Sequence, residues 1–180
     1  MDNNNSLSST VSQGHTAFKA EDYEQAAGFF ATAAAEYQQT GDTLNAAEMA
    51  NNRSVALLKA GSPQAAFDAA AGTAEIFAQA GDVKRQAMAM ANQASALEGL
   101  KKDKDALGLY EQSNELLKQV GDKELRSYVL KCISAIQLRS GSQFEAMASM
   151  QAAIDNKPSQ TVKDRFLNRL IKQVFTLLRR

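Results

Sequence analysis

The sequence has no tryptophan, one cysteine, one histidine and two prolines, and each shortage excludes something. The lone Cys132 rules out an intramolecular disulfide and any cysteine-based metal site. The lone His15 rules out a metal site built on two histidines of one chain. No G-x-G-x-x-G, P-loop or H-E-x-x-H pattern occurs. No acid, base and nucleophile stand at a recognisable spacing either, so a non-enzymatic protein without cofactor or metal is expected. No apolar run approaches the roughly 18–20 residues of a membrane span. Residues 1–10 lack the basic region and apolar core of a signal peptide. These features lead to the expectation of a cytoplasmic protein with no stable membrane insertion, and nucleic acid is not among its expected partners.

What the chain does have is helix-forming residues. Ala, Gln, Leu, Glu and Lys dominate, and β-branched runs are few, so helix is expected nearly throughout and no strand. The formal net charge is zero, but it is unevenly placed. Residues 1–80 carry three Lys/Arg against nine Asp/Glu, whereas residues 159–180 carry six against one. An acidic front and a basic tail follow from that count.

A Gly-Asp dipeptide recurs at Gly41-Asp42, Gly81-Asp82 and Gly121-Asp122, a fixed spacing of 40 residues. Glycine tolerates the left-handed position that ends a helix, and aspartate accepts hydrogen bonds from the free N–H groups that begin the next one. A period of this size marks stacked helical repeats. The expected organisation is a disordered tail over 1–5, four repeats over 6–158 (about 6–40, 41–80, 81–120 and 121–158) and a separate helix over 159–180. Within the repeats, helices are expected at about 6–20, from the turn at 21–23 to about 39, and at about 43–60, 63–80, 83–100, 104–119, 123–140 and 143–155. Pro63 suits the first turn of its helix, where a missing N–H costs nothing.

Overlaying the repeats yields four columns. Gly14, Ser54, Ala94 and Ser134 are all small, and Ala26, Ala66, Ala106 and Ala146 are all alanine. Phe30, Ala70, Tyr110 and Met150 form a mostly bulky column, while Ala33, Thr73, Ser113 and Ala153 are small again. Small residues let two helices of a hairpin approach, and a bulky one fills the space beside the contact.

These columns resemble the tetratricopeptide repeat, whose helix-turn-helix unit has small residues at three set positions and an aromatic near the third. Gly14, Ala26, Phe30 and Ala33 fit that pattern, as do Ala94, Ala106, Tyr110 and Ser113. The second unit departs at Ala70, the fourth at Met150, and no unit carries the family's tryptophan. The period is 40 rather than the usual 34 or so, as in longer variants of the family. The resemblance implies an all-α, right-handed α-α superhelix of four helical hairpins with a C-terminal capping helix. It also implies a scaffold or adaptor that binds a peptide or protein segment in a concave groove lined by each unit's first helix.

By that resemblance the groove positions are Val11, Ser12, His15, Phe18 and Lys19 in the first unit, and Glu48, Asn51, Asn52, Val55, Leu58 and Lys59 in the second. They continue with Met88, Ala91, Asn92, Ser95 and Glu98, then Tyr128, Lys131, Cys132, Ala135, Leu138 and Arg139. Asn52 and Asn92 share one column. An asparagine amide both donates and accepts, so such a pair suits the backbone of an extended peptide. The expected contacts are Asn51, Asn52, Asn92 and Ser95 for a backbone, with Glu48, Lys59, Lys131 and Arg139 selecting partners by charge. Of the carboxylate clamp that chaperone-binding members use, only Asn52 is present, so an acidic chaperone tail is not expected. A sensor of a small peptide signal would use the same groove.

The C-terminal helix carries one wide apolar stripe, Val162, Phe166, Leu170 and Val174 beside Leu167, Ile171, Phe175 and Leu178. Lys163, Arg165, Arg169 and Lys172 fall mostly on its other side. Three uses stay open: a cap over the fourth repeat, a homodimer through this helix, or contact with a membrane surface.

Overall fold

The computed structural model describes the backbone of residues 2–178 and the side chains of residues 7–177. Leu178, at the end of the expected stripe, thus lies outside the described side chains. Among the described residues there are ten helices and no strand. They are α1 (Asp2–Lys19), α2 (Tyr23–Gln39), α3 (Thr43–Lys59), α4 (Pro63–Ala70), α5 (Thr73–Gln79), α6 (Val83–Gly99), α7 (Asp103–Gln119), α8 (Lys123–Arg139), α9 (Gln143–Asp155) and α10 (Val162–Leu178). α1 begins at Asp2, ahead of the start near Ser6 expected from sequence.

The Gly-Asp dipeptides perform both expected roles. Gly41, Gly81 and Gly121 have φ of 79°, 71° and 70°. The carboxylates of Asp42, Asp82 and Asp122 accept from the backbone N–H of Asn45, Arg85 and Leu125 at 3.1, 2.9 and 3.0 Å. The first dipeptide also closes the helix before it: the Asp42 N–H donates to Tyr37 O at 2.9 Å, while the Gly41 N–H donates to Gln38 O at 3.1 Å. This Schellman closure satisfies two orphan carbonyls of α2 as α3 opens.

The marks are twice as dense as the dipeptide alone reveals. Glu21 (φ 62°), Gly61 (φ 79°), Lys101 (φ 61°) and Gly141 (φ 84°) take the same left-handed position halfway between. They carry the same pair of hydrogen bonds, for example Ser62 N to Leu57 O and Lys102 N to Leu97 O, both 2.9 Å. The true interval is therefore one helix and its turn, 20 residues.

One expected element differs. The helix expected over 63–80 is two helices, α4 and α5, separated at Ala71-Gly72. Ala71 turns extended (ψ 131°) and Gly72 adopts φ 76°. Glycine is a poor helix interior residue, by about 1 kcal/mol against alanine. The buried Thr73 hydroxyl donates to Ala70 O at 2.7 Å, compensating the carbonyl that the break leaves without its helical partner. The break directs Phe77 into a buried cluster with Ala47 and Ala89.

The chain divides into two compact units, residues 1–109 and 110–180. In the first, α1 packs on α2, α2 on α3 and α3 on α4, while α6 packs on α3, α4 and α5. One of its core clusters joins Ala17, Ala26, Ala27, Phe30, Ala33, Met49 and Ala56. The approach at Gly14 is close: a β-carbon there would stand 2.8 Å from the Phe30 ring, so only glycine fits without displacing it. In the second unit α8 packs on α9, and α9 on α10.

The small-residue columns are buried as a set: all residues of the first, second and fourth columns lie in the interior. Their serines do more than stay small. Ser54 Oγ donates to Ala66 O within the first unit, and Ser134 Oγ donates to Ala146 O within the second, each at 2.7 Å. The two bonds are the same contact at equivalent repeat positions. A buried hydroxyl needs a partner, and the neighbouring helix's carbonyl supplies it.

Candidate functional site

Four of the expected groove residues converge in the first unit. His15 and Phe18 from α1, Phe30 from α2, and Asn52 and Val55 from α3 line a pocket of about 160 Å³. Helical spacing places them there. His15 and Phe18 are three residues apart, as are Asn52 and Val55, so each pair shares a helix face. The Phe30 ring forms the floor, with the exposed His15 ring meeting it edge-on at 5.2 Å between centroids. Phe18 is steadied from behind by Tyr23, at 5.3 Å in a similar edge contact. The pocket is thus mostly apolar, with one amide and one imidazole at its border.

The asparagines separate into two roles. Asn51 is only 7% exposed. Its Nδ2 donates to Ala47 O at 3.1 Å, and its Oδ1 accepts from Asn92 Nδ2 at 3.3 Å. Asn51 and Asn92 therefore tie α3 to α6. Asn52 is half-buried, and its side chain makes no hydrogen bond among the described residues. It lines the pocket with its amide unspent. Ser95 Oγ donates to Ala91 O, on its own helix, at 2.9 Å.

The charged candidates also divide. Glu48 accepts from Arg85 Nη1 at 3.1 Å, and Arg85 Nε donates to Asp82 at 2.6 Å. The Arg85 guanidinium lies over the Phe77 ring, 5.0 Å from its centre. Glu48 is therefore part of a second α3–α6 tie. The backbone N–H and guanidinium of Arg85 hold the Asp82 carboxyl below its ordinary range. Arg85 was not among the expected site residues, although the Asp82-x-x-Arg85 spacing already pairs the two on one helical turn. Lys59 on α3 and Lys131 and Arg139 on α8 are exposed. Lys59 belongs to the first unit and Lys131 and Arg139 to the second.

α10 buries only part of its stripe. Ile171 is buried and Phe175 half-buried, on the side that packs on α9. Asn168 Nδ2 fastens the same side to Asp155 at 2.9 Å. Asp164 caps the helix start, accepting from Thr161 N at 2.8 Å and pairing with Lys157 at 2.6 Å. The Lys157 ammonium and the Thr161 donors hold its carboxyl well below the usual range. Val162, Phe166, Leu167, Leu170, Val174 and Leu177 remain exposed.

No group of three or more His, Cys, Asp or Glu side chains is placed to hold a metal ion among the described residues. No helix among them is long and apolar enough to cross a membrane. Neither a known family model nor any curated protein matches the chain.

Proposed function

We propose that the chain is a tetratricopeptide-like, non-enzymatic scaffold that binds an extended peptide or protein segment. On this reading the pocket between α1, α2 and α3 takes one apolar side chain, and the Asn52 amide holds the adjacent peptide backbone. The observation that carries it is the convergence of His15, Phe18, Asn52 and Val55 around one concavity with an unspent amide at its edge. A volume of about 160 Å³ suits a single side chain rather than a whole small-molecule ligand, whose sites run to about 300–1,000 Å³.

The right-handed superhelix implied by the resemblance is part of this proposal. The contact of α3 with α6, first helices of successive repeats, supports it, as does the 20-residue interval of left-handed turns. Asn51, Asn92, Glu48 and Arg85 then serve the scaffold, and Lys59 remains the expected charge on the pocket's own unit. The test is selection of binders from a random peptide library on the intact protein. Peptides with one recurrent large apolar residue are expected, and Asn52→Ala should weaken them about tenfold, the loss of one to two backbone hydrogen bonds. Selected peptides whose affinity is indifferent to Asn52→Ala would refute the site.

A further inference from the structure

We propose that α10 binds the surface of an anionic lipid bilayer, lying in the interface plane with its outer apolar face inserted. At 100° per residue, the side of α10 facing α9 is centred on Asn168, Ile171 and Phe175. The arc pointing away from α9 carries Val162, Phe166, Leu170 and Leu177, with Val174 at its edge and Gln173 and Lys163 interspersed; the five apolar residues have exposures of 73, 63, 42, 70 and 36% in that order. These residues extend along about 22 Å of helix axis. Exposed apolar residues standing singly are ordinary, but a row along a whole helix is not.

Charge decides what covers this row. Arg165, Arg169 and Lys172 occupy the flank next to it and line a groove of about 590 Å³. None of the three side chains has an ion-pair or hydrogen-bond partner among the described residues. The one acid of the helix, Asp164, is already held by Lys157 and Thr161. The row is therefore bordered by uncompensated positive charge. A second α10 would bring the same cations against these, which disfavours pairing of two copies through this helix. α10 also has the strongest segregation of apolar from polar residues among the long helices, with balanced mean hydropathy. A basic, strongly segregated helix with Phe and Leu on its apolar side is the composition that rests at a bilayer interface. Anionic headgroups meet the three cations while the apolar row enters the acyl boundary.

The test is co-sedimentation of the full chain with vesicles of phosphatidylcholine alone and of phosphatidylcholine mixed with phosphatidylglycerol. Binding to the mixed vesicles is expected, weakened by added salt, with little on the neutral ones. The triple variant Arg165→Gln, Arg169→Gln, Lys172→Gln should lose about a hundredfold in partitioning, near the sum of three surface cations. Phe166→Ser with Leu170→Ser should lose at least as much, and circular dichroism should show its helix content unchanged, since both residues are exposed. The proposal is overturned by no binding to mixed vesicles, by equal binding to neutral ones, or by binding that survives the double serine change. It is equally overturned if light scattering shows a dimer that the serine pair abolishes while vesicles are ignored. None of these outcomes depends on the peptide pocket.

Discussion

The α1–α2 hairpin and α10 treat large apolar side chains in opposite ways. In the hairpin one bulky ring, Phe30, is fully enclosed because Gly14, Ala26 and Ala33 leave room for it. On α10 Phe166 stands 63% exposed, beside arginines rather than alanines. The first arrangement spends its apolar surface on the scaffold, and the second keeps that surface available. The residues around a large side chain, more than the side chain itself, decide which use it serves.

The sharpest way to break this contrast is to truncate both rings. Phe30→Ala should cost about 3–5 kcal/mol, because the alanines around it cannot collapse into the void. Phe166→Ala should stay within about 0.5 kcal/mol. Chemical denaturation of the two variants checks this, and equal losses would erase the distinction.

The neighbouring asparagines offer the next contrast. Asn51→Ala leaves the Asn92 amide without its acceptor in a half-buried position and should destabilise by about 1–3 kcal/mol. Asn52→Ala should leave the melting temperature unchanged within the scatter of surface substitutions, its effect confined to ligand affinity.

The turns predict changes of opposite sign at equivalent positions. Gly41→Ala forces a side chain into φ 79° and should cost about 1 kcal/mol. Glu21→Gly relieves the same strain at φ 62° and should stabilise by up to about 1 kcal/mol, visible as a raised midpoint in urea.

Asp82 adds a pH test of similar size. Its carboxyl titrates lower folded than unfolded, so the unfolded chain binds more protons in acid. The stabilisation is complete above the ordinary carboxylate value of about 3.9 and disappears as pH falls through the lower folded value. Asp82→Asn, which keeps the shape of the cap, should lose less stability than the wild type as pH falls from the ordinary carboxylate value through the lower folded one. Urea midpoints at several pH values measure it.

Much of the scaffold was legible because its determinants are local. Gly41, Gly81 and Gly121 announce left-handed turns by residue type, and the buried columns follow from size at a fixed interval. The halfway turns at Glu21 and Lys101 were hidden because backbone closure imposes their conformation against side-chain preference. The α4–α5 break was hidden because alanine on one side of Gly72 favours continuing the helix, while the Thr73 hydroxyl that compensates the break reads as one more small residue.

The candidate site was legible only in part. Asn51 and Asn52 are identical in type and adjacent, and a 100° rotation sends one toward α6 and the other to the pocket. Which of them is spent depends on α6, whose Asn92 comes from 41 residues further along the chain. The capture of Glu48 by Arg85 likewise joins residues 37 apart. No spacing rule of a single helix reports such pairings.

The most direct measurement fills the pocket. Val55→Phe places a ring in the concavity of about 160 Å³ that Asn52 borders. Titrating a library-selected peptide into the wild type and this variant by calorimetry should show at least a tenfold rise in Kd, with the unfolding midpoint little changed. An unchanged Kd in a variant that remains folded would contradict the account.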